Sequence, residues 1–153
     1  MKNKIIIADT SCLIALNNIS KLSVLQDIYS EIVITQEVWG EYGGELPQWI
    51  TILEVKDKRK QQEIELNLDE GEASSIALAL ETENPLLIID EIKGRKIAAS
   101  LNIEIIGTVG VLLLANKKGL LNDVLSLVLK MVNKGFRLSD KLLDMLIEKY
   151  GKQ

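Results

Sequence analysis

The chain contains no histidine, and that absence removes more chemistry than any other feature of its 153 residues. It excludes Ser-His-Asp and Cys-His catalysis, imidazole acid–base work and histidine-ligated metal. Cysteine occurs once, as Cys12, which excludes an intrachain disulfide and a CxxC zinc site. One reduced thiol suits the cytoplasm. Only two prolines occur, Pro47 and Pro85, and both read as local boundaries. No linker, repeat or low-complexity tract is present. Long apolar runs are also missing: the longest uncharged stretch runs from Ile105 to Asn116, well short of the ~20 residues of a membrane span. Met1-Lys2-Asn3-Lys4 followed by Ile5 to Ala8 briefly mimics a leader peptide, but Asp9 breaks the run. The expectation is a cytoplasmic protein without a membrane segment.

What is present is a globular mixture, 47% hydrophobic and 26% charged. The length predicts a single domain, residues 1–153. Twenty-two acids against 18 bases give a formal charge of −4, which argues against simple electrostatic binding of nucleic acid. The charge is uneven: residues 1–99 carry 17 acids and 10 bases, residues 100–153 carry 5 acids and 8 bases.

Short apolar runs alternate with helical patterns, the mark of an α/β domain with a parallel sheet. Ile5 to Ala8, Glu31 to Thr35, Leu86 to Ile89 and Ile103 to Ile106 read as strands, with Thr51 to Val55 as a further one. Leu13 to Leu16 begins a helix whose stripe Leu22, Leu25 and Tyr29 continue. Gln36 to Tyr42 is a short helix closed by Gly43-Gly44. Lys56 to Glu65 reads as a charged, exposed segment. Asp69 to Glu83 is the clearest helix, with Ile76, Ala77 and Leu80 on one face. Ile92 to Leu101, Val109 to Lys117, Asp123 to Lys134 and Ser139 to Tyr150 are helical, with Gly119 and Gly135 as stops.

Two of these strands end alike, one in Asp9 and the other in Asp90. In open parallel sheets ligands bind beyond the carboxyl ends of the strands. Glu72, four residues before Ile76, should face the sheet near those ends, and Glu41 shares a side with Val38. Glu37, one turn earlier, is an alternative to Glu41. Each acid also has a plainer reading. Asp9 and Asp90 suit helix caps, Glu72 suits the positive end of a helix dipole, and Glu41 suits solvent. Together, converging carboxylates would repel one another. A hard divalent cation, Mg²⁺ or Mn²⁺, resolves that repulsion and serves phosphoryl chemistry.

Lys93, Arg95 and Lys96 follow Asp90 and suit a nucleic-acid backbone or an ordinary helix face. The hydroxyls of Thr10, Ser11 and Thr108 suit substrate, metal water or helix capping. Lys56, Lys58, Arg59 and Lys60 read as surface. Trp39 and Trp49 read as packing residues, Cys12 as core, and Leu142, Met145, Leu146 and Tyr150 as core or dimer contact.

At these residues the chain resembles PIN-domain ribonucleases, particularly VapC-like toxins. Ile7-Ala8-Asp9-Thr10-Ser11 is similar to the family's first strand. Ile34-Thr35 through Val38 and Glu41 is similar to its second strand and helix. Leu68-Asp69-Glu70-Gly71-Glu72-Ala73 with Ile76 to Ala79 is similar to a third acidic position of one subgroup. Ile89-Asp90 with Gly94-Arg95 and Ala98 resembles a fourth, and Gly107 to Leu112 the closing strand–helix junction. The resemblance implies a three-layer α/β/α sandwich with a central, mostly parallel sheet. It also implies Mg²⁺- or Mn²⁺-dependent endonucleolytic cleavage of RNA, with Asp9, Glu41, Glu72 and Asp90 as metal-holding catalytic residues. Thr10, Ser11, Lys93, Arg95 and Thr108 fall where substrate would lie. A small antitoxin partner and a homodimer are implied as well. Position 91, often a second Asp in the subgroup, is Glu91 here, and whether it contributes is open.

Two other functions compete. A PIN-like module could bind protein or RNA without turnover, although the presence of all four acids counts against it. A receiver-type phosphoacceptor needs an acidic pair after its first strand and a Lys after its last. Here Asp9 precedes Thr10-Ser11, and the last strand ends in Gly107-Thr108. If two Mg²⁺ ions bind, their charge formally cancels the −4, and RNA binding itself becomes metal-dependent.

Overall fold

The computed structural model describes residues 3–151; Met1 and Lys2 of the leader-like start lie outside them. Five strands form one sheet: β1 (Ile5–Ala8), β2 (Ile32–Thr35), β3 (Ile50–Leu53), β4 (Pro85–Ile88) and β5 (Glu104–Ile106). All pair in parallel, in the order β3-β2-β1-β4-β5. The chain therefore leaves β1 toward one edge, then returns to β1's other side with β4. That reversal is the topological switch point, where an open parallel sheet leaves a crevice. The β1–β4 register pairs Ala8 with Ile88, so Asp9 and Asp90 emerge at the same end.

Nine helices among the described residues flank the sheet: α1 (Thr10–Asn18), α2 (Ser23–Tyr29), α3 (Gln36–Tyr42), α4 (Lys58–Glu65), α5 (Glu70–Leu80), α6 (Ile92–Ser100), α7 (Thr108–Lys117), α8 (Val124–Asn133) and α9 (Asp140–Tyr150). Strand side chains alternate between two apolar cores. Ile6, Ala8, Leu86 and Ile88 pack with α1, α2, α7 and α8. Ile7, Leu87 and Ile89 pack with α4, α5 and α6 on the other face. This is the three-layer α/β/α sandwich with an all-parallel sheet.

Several local expectations need correction. The stripe from Leu13 to Tyr29 is two helices, because the chain turns between α1 and α2 with Ser20 at φ 57°. The segment expected to be an exposed charged stretch contains α4, whose Gln61 and Ile64 are buried against its neighbours. In α5 every residue from Gly71 to Ala79 is buried, while Leu80 is 39% exposed. Sandwiched between the sheet and other helices, α5 has no single apolar face, so the Ile76–Leu80 stripe does not mark its packing side. Trp39 is 47% exposed and is not a packing residue. On α9, Leu146 is buried but Met145 is 57% exposed. Gly43 closes α3 as expected, in the left-handed conformation at φ 72° that glycine adopts without steric cost. No helix among the described residues is long and apolar enough to cross a membrane.

Candidate active site

A cleft of about 1230 Å³ opens at the carboxyl end of the sheet, and Asp9, Glu41, Glu72 and Asp90 all line it. Each is positioned differently.

Asp9 stands at the N-cap position of α1, yet its side chain makes no capping bond. It is 4% exposed, and its Oδ1 is buried with no hydrogen-bond partner. Burial pushes its carboxyl up to about 7, against a lowering bond from the Thr10 backbone, and the charges of Asp69, Glu41 and Asp90 push the same way as burial. The geometry therefore rejects the plain capping role for Asp9.

Asp90 does not cap the helix that follows it either; Glu91 holds that position. Its Oδ1 accepts from the Thr108 backbone N–H at 2.7 Å. Its Oδ2 accepts from Thr108 Oγ1 at 2.6 Å and from Ser11 Oγ at 2.9 Å. One carboxylate thus ties β4 to the starts of α1 and α7. Thr108 is fully buried, and Gly107 beside it lets Asp90 and Arg95 approach: an added Cβ would sit 3.2 Å from Asp90 Oδ1 and 3.1 Å from Arg95 Nη1.

Glu41 reaches across from α3. It accepts from Thr10 Oγ1 at 2.5 Å and from the Gly71 backbone N–H at 3.1 Å. Glu72 lies in the first turn of α5, 7% exposed, with Oε2 buried and unpartnered. Burial raises its carboxyl to about 8, joined by a hydrogen bond to Asp69 and by the charges of Asp69, Asp9 and Glu91. Thr10, Ser11 and Thr108 thus spend their hydroxyls on holding carboxylates.

Two more acids line the cleft, Asp69 and Glu91. Sequence reasoning left Glu91 open and missed Asp69, which caps α5 by accepting from the Glu72 N–H at 2.9 Å. An acid capping a helix one turn from a sheet-facing Glu was the available signal. Arg95 also lines the cleft, and its Nη1 donates to the Ile89 carbonyl at 2.9 Å. Lys93 is exposed and lies outside the cleft lining, because two positions along α6 it projects from another side. Glu37 is drawn away toward α4, where it accepts from Gln61 at 2.5 Å.

Two glycines make room for the acids. A Cβ at Gly71 would overlap the Glu41 carboxylate, with its carbon 2.7 Å away. A Cβ at Gly94 would meet Glu72 Oε2 at 2.7 Å and Ile89 Cδ1 at 2.8 Å. Gly71→Ala should therefore displace Glu41, the movable end of a flexible side chain, and leave stability within about 1 kcal/mol, since Ala suits a helix. A thermal melt together with a structure of the variant checks this; an unmoved Glu41 would contradict it.

Among the described residues, no three Asp, Glu, His or Cys side chains form a group ready to hold a metal ion as they stand. The donor chemistry nevertheless suits one. All the donors are oxygens, as Mg²⁺ and Mn²⁺ prefer, and two of those oxygens are buried without a partner. Buried polar atoms are rarely left so.

An open parallel sheet with carboxylates gathered at its switch point defines the class: an α/β protein with an acidic cleft at the carboxyl ends of its strands. The family model of the PIN domain matches residues 5–152, and the chain belongs to the PIN-domain family. PIN domains are generally nucleases and typically use divalent metals, so the fold is of nuclease type. No curated protein and no solved structure matches the chain.

Proposed function

We propose that this protein is a Mg²⁺- or Mn²⁺-dependent endoribonuclease that hydrolyses RNA phosphodiester bonds. The observation that carries the reading is the pair of buried, unpartnered carboxylate oxygens, Asp9 Oδ1 and Glu72 Oε2, in a cleft shared with Glu41 and Asp90. These four acids would hold the metal, with Asp69 and Glu91 beside them. A bound Mg²⁺ or Mn²⁺ supplies an activated water at neutral pH and offsets charge on the phosphate. Asp90, fixed by three hydrogen bonds, keeps its orientation without reorganising. Thr10 and the Gly71 N–H hold Glu41 in the same way. Asp9 and Glu72, whose carboxyls burial raises, would have to be ionised to hold the cation. Arg95 donates one N–H to the Ile89 carbonyl, and another of its five N–H groups would take a phosphate oxygen at the cleft.

Purified protein should cleave RNA with Mg²⁺ or Mn²⁺ and stop on chelation. Asp90→Asn should lower the rate about a hundredfold or more. Equal cleavage by the variant would sink the assignment. No cleavage by the parent with either metal would favour the non-catalytic binding module, the alternative consistent with acids that are not yet closed into a metal group. A toxin role with a small antitoxin rests on the resemblance to VapC-like toxins, and growth arrest on expression tests it. Exposed Met145, Ile147 and Leu129 on α8 and α9 support a homodimer.

A further inference from the structure

Two buried hydroxyls outside the cleft lining join the elements that carry Glu41 and Glu72. Thr35 ends β2 and caps α3, where its Oγ1 accepts from the Val38 N–H at 3.1 Å. Ser74 lies one turn into α5 and donates to the Gly71 carbonyl at 2.9 Å. Each bond alone is local: a helix cap, and a helical serine bonding back to its own backbone. Neither uses the Thr35 proton or a remaining Ser74 lone pair. Those two meet at 2.7 Å, between fully buried residues 39 positions apart. A hydroxyl has one proton, and that of Ser74 goes to Gly71, so Thr35 donates and Ser74 accepts. The result is a directed chain from the Val38 N–H through Thr35 and Ser74 to the Gly71 carbonyl.

That chain ends on Gly71, whose backbone serves both acids. Its N–H donates to Glu41 Oε2 at 3.1 Å. Its carbonyl belongs to the peptide that carries the Glu72 N–H, which donates to Asp69 Oδ1 at 2.9 Å. We propose that the Thr35–Ser74 pair is a strap that fixes α3 against α5 and so holds Glu41 and Glu72 at the spacing a divalent cation requires. Thr35 and Ser74 are then positioning residues, acting through Gly71 rather than touching the metal. The inference rests on the metal-dependent reading and deepens it by naming residues that set the site from behind. Apolar side chains of the same size would fill this space but let the helices slide, because burial and dispersion have no direction. A hydroxyl pair holds one distance and angle, and in a dry interior linked hydrogen bonds reinforce one another. The tolerance is small. Glu41 lies so close to Gly71 that a Cβ there would overlap its carboxylate, and ligand groups need holding within about 0.5 Å.

The test compares Ser74→Ala with Ser75→Ala in the full chain. Ser75 is equally buried, but its hydroxyl donates within its own helix, to the same Gly71 carbonyl at 2.8 Å. Alanine suits both helical positions. Two readouts need no turnover. Mn²⁺ affinity, read by electron paramagnetic resonance, should fall about tenfold in Ser74→Ala and less than about twofold in Ser75→Ala. In the metal-free protein, solvent exchange of the Gly71 amide, followed by NMR, should quicken about tenfold in Ser74→Ala and hold in Ser75→Ala. Thr35→Ser keeps the hydroxyl and should keep the parent's affinity. Ser74→Cys, a weaker hydrogen-bonding group, should fall between the parent and Ser74→Ala, and decides the matter if Ser74→Ala does not fold. Parental affinity and Gly71 exchange in Ser74→Ala, or equal losses in the two alanine variants, would overturn the strap. A parent that binds no Mn²⁺ would remove the metal-dependent reading instead, while the Gly71 exchange rates still decide whether the pair holds α5 against α3.

Discussion

Asp9→Asn should abolish metal-dependent RNA cleavage while raising the melting temperature of the metal-free protein above neutral pH. The two effects have one cause. Asp9 is buried at 4% exposure beside other carboxylates, with Oδ1 unpartnered, so its anion is unfavourable without a cation. Burial first, then the charges of Asp69, Glu41 and Asp90, raise its carboxyl from 3.8 to about 7. Asparagine has nearly the same shape as the protonated acid and carries no charge to bury. It removes the anionic donor the cation needs, and losing a ligand should cost at least as much as losing a supporting group, about a hundredfold. At pH near 8 the variant escapes the cost of ionising a buried group, worth roughly 1 kcal/mol, or about 3 °C in a chain of this size. Paired cleavage assays and thermal melts check both. A variant that cleaves normally, or one that melts lower than the parent at that pH, would contradict the role given to Asp9.

The second large effect is on stability against pH. Asp9 and Glu72 both hold protons more tightly when folded, with carboxyls raised from 3.8 to about 7 and from 4.5 to about 8. Groups raised in this way stabilise the fold fully below their unfolded values and lose that contribution as pH climbs through the folded ones. The metal-free protein should therefore lose stability from about pH 4, where the unfolded carboxyls ionise, to about pH 8, where the folded ones have done so. Allowing for solvent screening at the cleft mouth, the loss is about 2 kcal/mol, or roughly 5 °C. Cys12 stays out of this window, because burial first and the Asp90 charge second push its thiol further above its ordinary 9.0. Excess Mg²⁺ or Mn²⁺ at the upper pH should restore the loss by mass action. Calorimetry with and without metal measures it. A flat profile, or one that metal leaves unchanged, would mean these carboxyls do not ionise against the fold.

How much of this was legible beforehand follows from particular residues. Asp9 and Asp90 stood out because each ends a β-branched or leucine-rich strand, and parallel strands send their ends to one edge. Glu72 was found by a stripe through Leu80 that the fold does not use, since α5 is buried all round. Glu72 nevertheless lines the same cleft as Asp9 and Asp90. Lys93 and Arg95 looked equivalent in a line of text, and only the rotation of α6 separates them. Asp69 was within reach as the cap before Glu72, but the spacing duties of Gly71 and Gly94 were not. Gly71 matters through a carboxylate 30 positions away, and Gly94 through one 22 positions away.

The amino-acid sequence by itself determined that, for an enzyme, the proton and metal chemistry rests on Asp and Glu, since it contains no histidine and a single cysteine. It also determined an alternating α/β chain, because hydrophobic period and strand-forming residues act over a few neighbours at a time. Tertiary structure alone decided which carboxylates meet and which of them lose water. Strand order brought β1 beside β4 and created the switch point. Burial then raised Asp9 and Glu72. Those outcomes depend on distances between residues far apart in the chain, which only the packed fold sets.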